Sequence, residues 1–219
     1  MNELAIEAEH ISRRFGRRWA LVDVSLQVPR GAVMIVAGRN GSGKSTLFRI
    51  LGTVIRPDQG RALVGGFDVV HHRQDVRKTV ALLSHYSYLY ESLTARENLR
   101  VTADHLGAGR ERIMSLLERV SLAPRADDPV STFSAGMRKR LSFARVLLQD
   151  PQIVFLDEPY GQLDPEGFAL VDDVVRELKS RGATVLMATH QIERGTKLAD
   201  LTLLLEQGRT REPGHAATS

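Results

Sequence analysis

The run Gly38-Arg39-Asn40-Gly41-Ser42-Gly43-Lys44-Ser45-Thr46 fits the pattern G-x-x-x-x-G-K-[ST], whose residue types are those needed to hold a chain of phosphates. Glycines let the backbone curl so that successive N–H groups point inward, and a helix beginning at Lys44 adds its positive end. Lys44 is expected to reach the β- and γ-phosphates of a nucleotide, Ser45 to offer a hydroxyl to Mg²⁺, and Thr46 to meet the α-phosphate. A second constellation stands at Asp157-Glu158, where the apolar run Ile153-Val154-Phe155-Leu156 delivers two adjacent carboxylates at its end. Asp157 can hold Mg²⁺, directly or through water. Glu158 then falls next to the γ-phosphate, where a carboxylate orients and deprotonates an attacking water.

Strands must carry both constellations to one edge of a sheet. Val33 to Val36, Val80 to Leu83, Ile153 to Leu156 and Val185 to Ala188 are unbroken apolar runs, the pattern of parallel strands buried on both faces. The run ending in Asp157 is expected to neighbour the strand that opens into the phosphate loop. Val22, Val24, Leu26 and Val28 alternate with polar residues, which predicts a half-buried antiparallel strand near the N-terminus. Helical patterns cover Lys44 to Leu51, the charged stretch from about Thr94 to Val120, Ala135 to Gln149 and Pro165 to Ser180. The order predicts an α/β fold with a parallel core, an N-terminal antiparallel β part and a helical subdomain inserted at about 86–148. Residues 1–209 read as one domain and 210–219 as a frayed tail.

Ser134-Ala135-Gly136-Met137 precedes Asp157 by twenty-three residues and is a capped helix start with small residues behind the cap. With the phosphate loop and the acidic pair, it makes the chain resemble the ATP-binding subunits of ABC transporters from about Leu4 to Gly208. Phe133 takes the place of the leucine that usually opens the family's L-S-G-G-Q signature. Gly161-Gln162-Leu163-Asp164 is similar to the family's D-loop, and His190, thirty-two residues after Glu158, is similar to its switch histidine, which contacts the γ-phosphate. Phe15 resembles the aromatic that stacks on adenine, with Trp19 as the alternative. The resemblance implies a P-loop NTPase core of RecA type, ATP and Mg²⁺ as ligands, and a head-to-tail dimer. In that dimer Ser134, Ala135, Gly136, Met137 and Asp164 of one subunit complete the ATP site of the other. It also implies integral-membrane permease subunits as partners and a peripheral place on the cytoplasmic face of the inner membrane.

Relatives usually place a glutamine at the start of the helical subdomain. Counting back from Leu93-Thr94-Ala95-Arg96-Glu97-Asn98-Leu99 puts His85 there, followed by Tyr86, and a neutral histidine can accept a hydrogen bond or ligate the ion. Histidine at this place resembles the haem-exporter ATPases of cytochrome c maturation, so haem export is the first expectation for the cargo and a drug or lipid exporter the second. A soluble ABC ATPase of DNA repair or translation would carry a coiled-coil insertion or a tandem ATPase unit, so no nucleic-acid partner is expected. The absence of cysteine excludes disulfides and thiol chemistry. No apolar run approaches the length of a membrane span and the first twenty residues hold no secretory pattern, so the cytoplasm is the expected compartment. Thirty Lys and Arg against 26 Asp and Glu leave a net charge of +4, as an ordinary solvated surface does.

Overall fold

In the computed structural model, residues 3–84, 87–107 and 109–211 are described. Two long strands, β1 (Leu4–Phe15) and β2 (Arg18–Pro29), form a hairpin around Gly16 and Arg17. Phe15 lies opposite Arg18, and Arg14 opposite Trp19. Cross-strand partners share a face, so Phe15 with Arg18 and Arg14 with Trp19 occupy opposite sides of the hairpin. Left-handed residues interrupt the two-residue period at His10 (φ 53°) and Asp23 (φ 55°). Beyond Asp23, β2 alternates as its sequence predicts, with Val24, Leu26 and Val28 inward.

Strand β3 (Val33–Ala37) runs into the phosphate loop and helix α1 (Lys44–Leu51). Strands β4 (Gln59–Val64) and β5 (Phe67–Asp68) complete an antiparallel sheet of order β2-β1-β4-β5. Helix α2 (Arg73–Thr79) leads to β6 (Val80–Leu83). The helical insertion follows, as α3 (Ala95–Leu106), α4 (Ile113–Arg119) and α5 (Ala135–Gln149), with Gly107 in the left-handed conformation closing α3. Its entry is stapled locally: Thr94 and Glu97 form a capping box, and buried Asn98 bonds Tyr90, Leu93 and Thr94 through its amide. This accounts physically for the run Leu93 to Leu99.

The chain returns to the core as β7 (Ile153–Asp157), α6 (Pro165–Ser180), β8 (Thr184–Ala188), α7 (Ile192–Thr196), β9 (Leu201–Glu206) and β10 (Arg209–Arg211). These strands form a six-stranded sheet of order β10-β9-β3-β8-β7-β6, parallel except for β10. Two expectations are corrected here. Strand β7 does not neighbour β3, because β8 lies between them. Thr210 and Arg211, read as tail, pair with Leu205 and Leu204 in the β9–β10 hairpin.

Alternate residues of the parallel strands face two cores. Val33, Ile35, Val154, Leu156, Val185 and Met187 pack toward the helical insertion and α6. Met34, Val36, Ile153, Phe155, Leu186 and Ala188 pack toward α1 and the antiparallel sheet. Phe48 of α1 meets Phe155 of β7 with ring centroids 5.7 Å apart. Truncating either fully buried ring to alanine is worth about 3–5 kcal/mol. Strand ends are therefore held firmly where the loops leave them.

Candidate active site

Contacts exclude side chains at two of the phosphate loop's three glycines, Gly38 and Gly43. Gly43 has φ 110°, and a Cβ there would lie 2.5 Å from the Ala20 carbonyl oxygen; one on Gly38 would lie 2.2 Å from the Leu205 carbonyl oxygen. Gly43 caps α1 without any side-chain hydrogen bond, so the first amides of the helix stay open to an anion. Lys44 is buried and folds back on the loop, its Nζ donating to the carbonyls of Gly38 (2.7 Å) and Arg39 (3.1 Å). Ser42 Oγ is buried and has no hydrogen-bond partner among the described residues.

Across β8 stands the acidic pair. Asp157 is the last residue of β7 and is 6% exposed. Glu158 follows with φ 49°, a strained conformation for a non-glycine residue, held by its amide donating to the Ala188 carbonyl at 2.8 Å. The His190 amide donates to Glu158 Oε2 at 3.2 Å. His190 Nε2 lies 3.1 Å from Glu158 Oε1 without the alignment of a hydrogen bond, so that buried oxygen receives none among the described residues. His190 follows the end of β8, the strand between β3 and β7, and it touches Glu158 without lining the cavity that Glu158 shares with the phosphate loop.

A cavity of about 340 Å³ joins these parts, lined by Phe15, Arg18, Asn40 to Thr46, Asp157 and Glu158. An orphaned hydroxyl and a lysine turned onto carbonyls fit a phosphate-bearing ligand, and the orphaned carboxylate oxygen of Glu158 fits a donor such as water beside it. The oxygens of Ser45 and Asp157 are the donors a hard divalent cation takes. Among the described residues no cluster of three or more His, Cys, Asp or Glu could hold a metal by itself. His85, expected as a further ligand, lies outside the described residues. A cavity of about 770 Å³ at the other end of the sheet is lined in part by Arg30, Arg112 and Arg181. Those arginines are committed to Glu3, the Leu147 carbonyl, and Asp150 with Glu177.

Ser134-Ala135-Gly136-Met137 is not part of that lining. Ser134 caps α5, its hydroxyl accepting from the Met137 amide at 3.2 Å, and Ala135 borders a separate cavity beside Gln162. Asp164 caps α6 through the Gly167 amide (2.8 Å), which holds its carboxyl below the usual carboxylate range, and it accepts from Arg140 of α5 at 2.9 Å. The signature-like helix and the D-loop-like turn are thus joined to each other and stand apart from the phosphate loop.

The hairpin register sends the two aromatic candidates to different cavities. Phe15 lines the phosphate cavity, with the Arg13 guanidinium 4.9 Å from its ring centre on one side. Trp19 carries Arg14 at 5.5 Å and borders two other cavities, one of about 560 Å³ that is walled by Arg39 to Ser42 of the same loop. Two residues escape sequence reasoning. Arg18 enters the phosphate cavity only because it pairs with Phe15. Lys139 is buried on α5, and burial pushes its ammonium down to about 8 against the opposing charges of Asp157 and Glu158. A cross-strand register count could have found Arg18; nothing local marks Lys139.

Comparison with known proteins agrees with this geometry. Residues 21–161 match the family model described as ABC transporter. The chain is 42% identical over 220 residues to the Daunorubicin resistance ATP-binding protein DrrA3 of Streptomyces coeruleorubidus, covering 99% of this chain and 70% of that protein. It is 35% identical to the Nod factor export ATP-binding protein I of Rhizobium sp. (strain N33), over 98% of this chain and 72% of that one. Against other daunorubicin-resistance relatives it spans about 65% of their length. A solved structure titled as an ATP-binding subunit of an ABC transporter superposes with a TM-score of 0.89 at 28% identity, covering 97% of this chain and 90% of that one. These names turn the expected cargo away from haem: the matched relatives are named for drug resistance and Nod factor export. With the phosphate loop, the acidic pair and the family match on one chain, this protein belongs to the ABC transporter family, as an ATP-binding subunit that hydrolyses ATP.

Proposed function

We propose that two copies of this nucleotide-binding unit close over two ATP molecules and drive membrane subunits that export a small organic molecule. The observation that supports this best is the division of the site. The phosphate loop, Asp157 and Glu158 line one cavity, with His190 bonded to Glu158, while the α5 start and the Asp164 turn lie outside it. In this reading adenine stacks on the free face of Phe15, and the loop amides with Lys44 hold the β- and γ-phosphates, Lys44 leaving the carbonyls of Gly38 and Arg39. Thr46 meets the α-phosphate. Ser45 and Asp157 hold Mg²⁺, which when bound neutralises phosphate charge as it develops.

Glu158 Oε1 accepts a proton from water as the water oxygen bonds to the γ-phosphorus and the bond to the ADP oxygen breaks. His190 contacts the γ-phosphate and steadies Glu158. Ser134 to Met137 of the other copy offer a helix start to the same phosphate, with Asp164 beside it. ATP binds the closed pair better than the open pair, and its cleavage removes that preference. The membrane partners supply the path; among the described residues no helix is long and apolar enough to cross a bilayer.

For the cargo, the names of the relatives favour a drug such as daunorubicin over haem, the reading drawn from His85. The test is transport by inverted vesicles carrying this chain with its membrane subunits. ATP-dependent uptake of daunorubicin that is lost with Glu158→Gln is expected. ATP-dependent uptake of haem without uptake of the drug would overturn the cargo assignment.

A further inference from the structure

The turns that carry Glu158 and His190 are joined behind the site by three side chains that no motif predicts. Tyr160, two residues after Glu158, is buried, and its hydroxyl donates to Asp172 Oδ1 of α6 at 2.7 Å. Arg194, four residues after His190 on α7, donates to the other oxygen of the same carboxylate at 3.0 Å. The Asp172 side chain is 14% exposed and that of Arg194 38%. The guanidinium carbon stands 5.9 Å from the centre of the Tyr160 ring and 5.4 Å from that of Phe168. Those two rings meet edge to face at 79°, with centroids 5.5 Å apart.

Together these contacts join three elements in every pairing. Tyr160 belongs to the turn between β7 and α6, Arg194 to the helix after β8, and Asp172 and Phe168 to α6, which packs on the sheet through Leu170, Val171 and Val174. One carboxylate thereby receives a bond from each of the two turns that leave the catalytic edge. Losing either donor leaves a charged, mostly buried acceptor half satisfied. On the catalytic side, His190 and Glu158 are joined by the 3.2 Å amide bond and by a side-chain approach that is not an aligned hydrogen bond. The Glu158 amide bond to the Ala188 carbonyl (2.8 Å) ties the same two turns at the sheet edge, and the Asp172 contacts add a second tie behind it.

We propose that Tyr160, Asp172 and Arg194 form a strap of positioning residues that fixes the His190 turn against the Glu158 turn, and so governs the rate of ATP cleavage without contributing to ATP affinity. The proposal rests on the roles given above to Glu158 and His190. None of the three lines the phosphate cavity. A strap that slackens misplaces a general base by fractions of an ångström, which costs turnover steeply. It leaves the phosphate loop, on the other side of β8, as it was.

The experiment is steady-state ATP hydrolysis by the full chain carrying Tyr160→Phe, Arg194→Met or Arg194→Lys. Tyr160→Phe keeps the ring and removes one bond to Asp172. It is expected to lower kcat about tenfold with KM for ATP unchanged, and Arg194→Met at least as much. Arg194→Lys should restore part of the Arg194→Met loss, since an ammonium can still bond the carboxylate. Combining Tyr160→Phe with His190→Ala separates this proposal from the reading it rests on. With His190 gone there is less to position, and Tyr160→Phe should cost clearly less than it does in the wild-type chain. His190→Ala with wild-type turnover would refute the role of His190 itself. A lowered rate on which Tyr160→Phe imposes its full further loss would refute the strap alone, as would a rise in KM with kcat unchanged, or no change in either. Should Arg194→Met unfold the chain, Tyr160→Phe and the lysine variant decide by the same kcat-against-KM criterion.

Discussion

The phosphate loop and the α5 start are both helix N-termini preceded by glycine or serine, yet they are built in opposite ways. The loop is closed on itself. Gly38 and Gly43 press on backbone, its lysine is folded inward, and the surrounding cavity takes walls from β1, β2 and β7. The α5 start is capped in cis by Ser134 and packed on the Asp164 turn, and it lies outside that cavity. One region lines a cavity together with the acidic pair; the other is a capped helix start on a separate surface. This contrast supports the proposal that the chain carries two half-sites that do not meet within one copy.

Four expected results would break or sharpen the contrast. The largest is Glu158→Gln, which keeps the shape of the site and removes its base. Turnover should fall by about 10²- to 10⁴-fold while ATP still binds, measured by single-turnover hydrolysis beside a nucleotide titration. Gly43→Ala comes next. A methyl 2.5 Å from the Ala20 carbonyl at φ 110° forces the loop open, so ATP affinity should drop more than tenfold and stability by about 1–3 kcal/mol. Unchanged affinity would show that the loop tolerates what its contacts forbid.

Gly136→Ala probes the other half. Its Cβ would lie 2.9 Å from the Gln162 carbonyl, shifting the α5 start against the Asp164 turn. ATP affinity of the isolated chain should hold while turnover falls about tenfold, roughly 1.4 kcal/mol of transition-state stabilisation. A matching loss of affinity would mean that the two halves are coupled inside one copy.

The smallest effect concerns Lys139, buried behind the acidic pair with its ammonium pushed down to about 8. Between that value and about 10.5 the unfolded chain holds more protons than the folded one, so stability rises with pH across that window. In thermal unfolding without nucleotide, Lys139→Met should exceed wild type most at pH 7, and the gap should narrow as pH approaches 10. A gap independent of pH would show that burial does not depress this lysine.

Much of this arrangement is written in local pattern. The apolar runs ending at Ala37, Asp157 and Ala188 specify the strands that carry the loop, the acidic pair and His190, because a strand buried on both faces needs an unbroken run. Strand β1 escapes, since the left-handed turn at His10 breaks its two-residue period and charged residues fill its exposed face. Strands β9 and β10 escape because most of their residues are partly or fully exposed. The order of the sheet is not local either: no feature of the run Ile153 to Asp157 announces that β8 intervenes before β3. For the same reason Lys139 and the Tyr160–Asp172–Arg194 group come to light only in three dimensions.

The two-half-site account is tested most directly by complementation. A chain with Lys44→Ala has a damaged phosphate loop and an intact α5 start; a chain with Gly136→Asp has the reverse. Each alone should hydrolyse ATP at a small fraction of the wild-type rate. Mixed in equal amounts, half of the dimers pair one of each and hold one intact composite site, so the rate should recover to about a quarter of wild type. A mixture that stays at the average of the two separate rates would show that each copy hydrolyses ATP with its own residues alone.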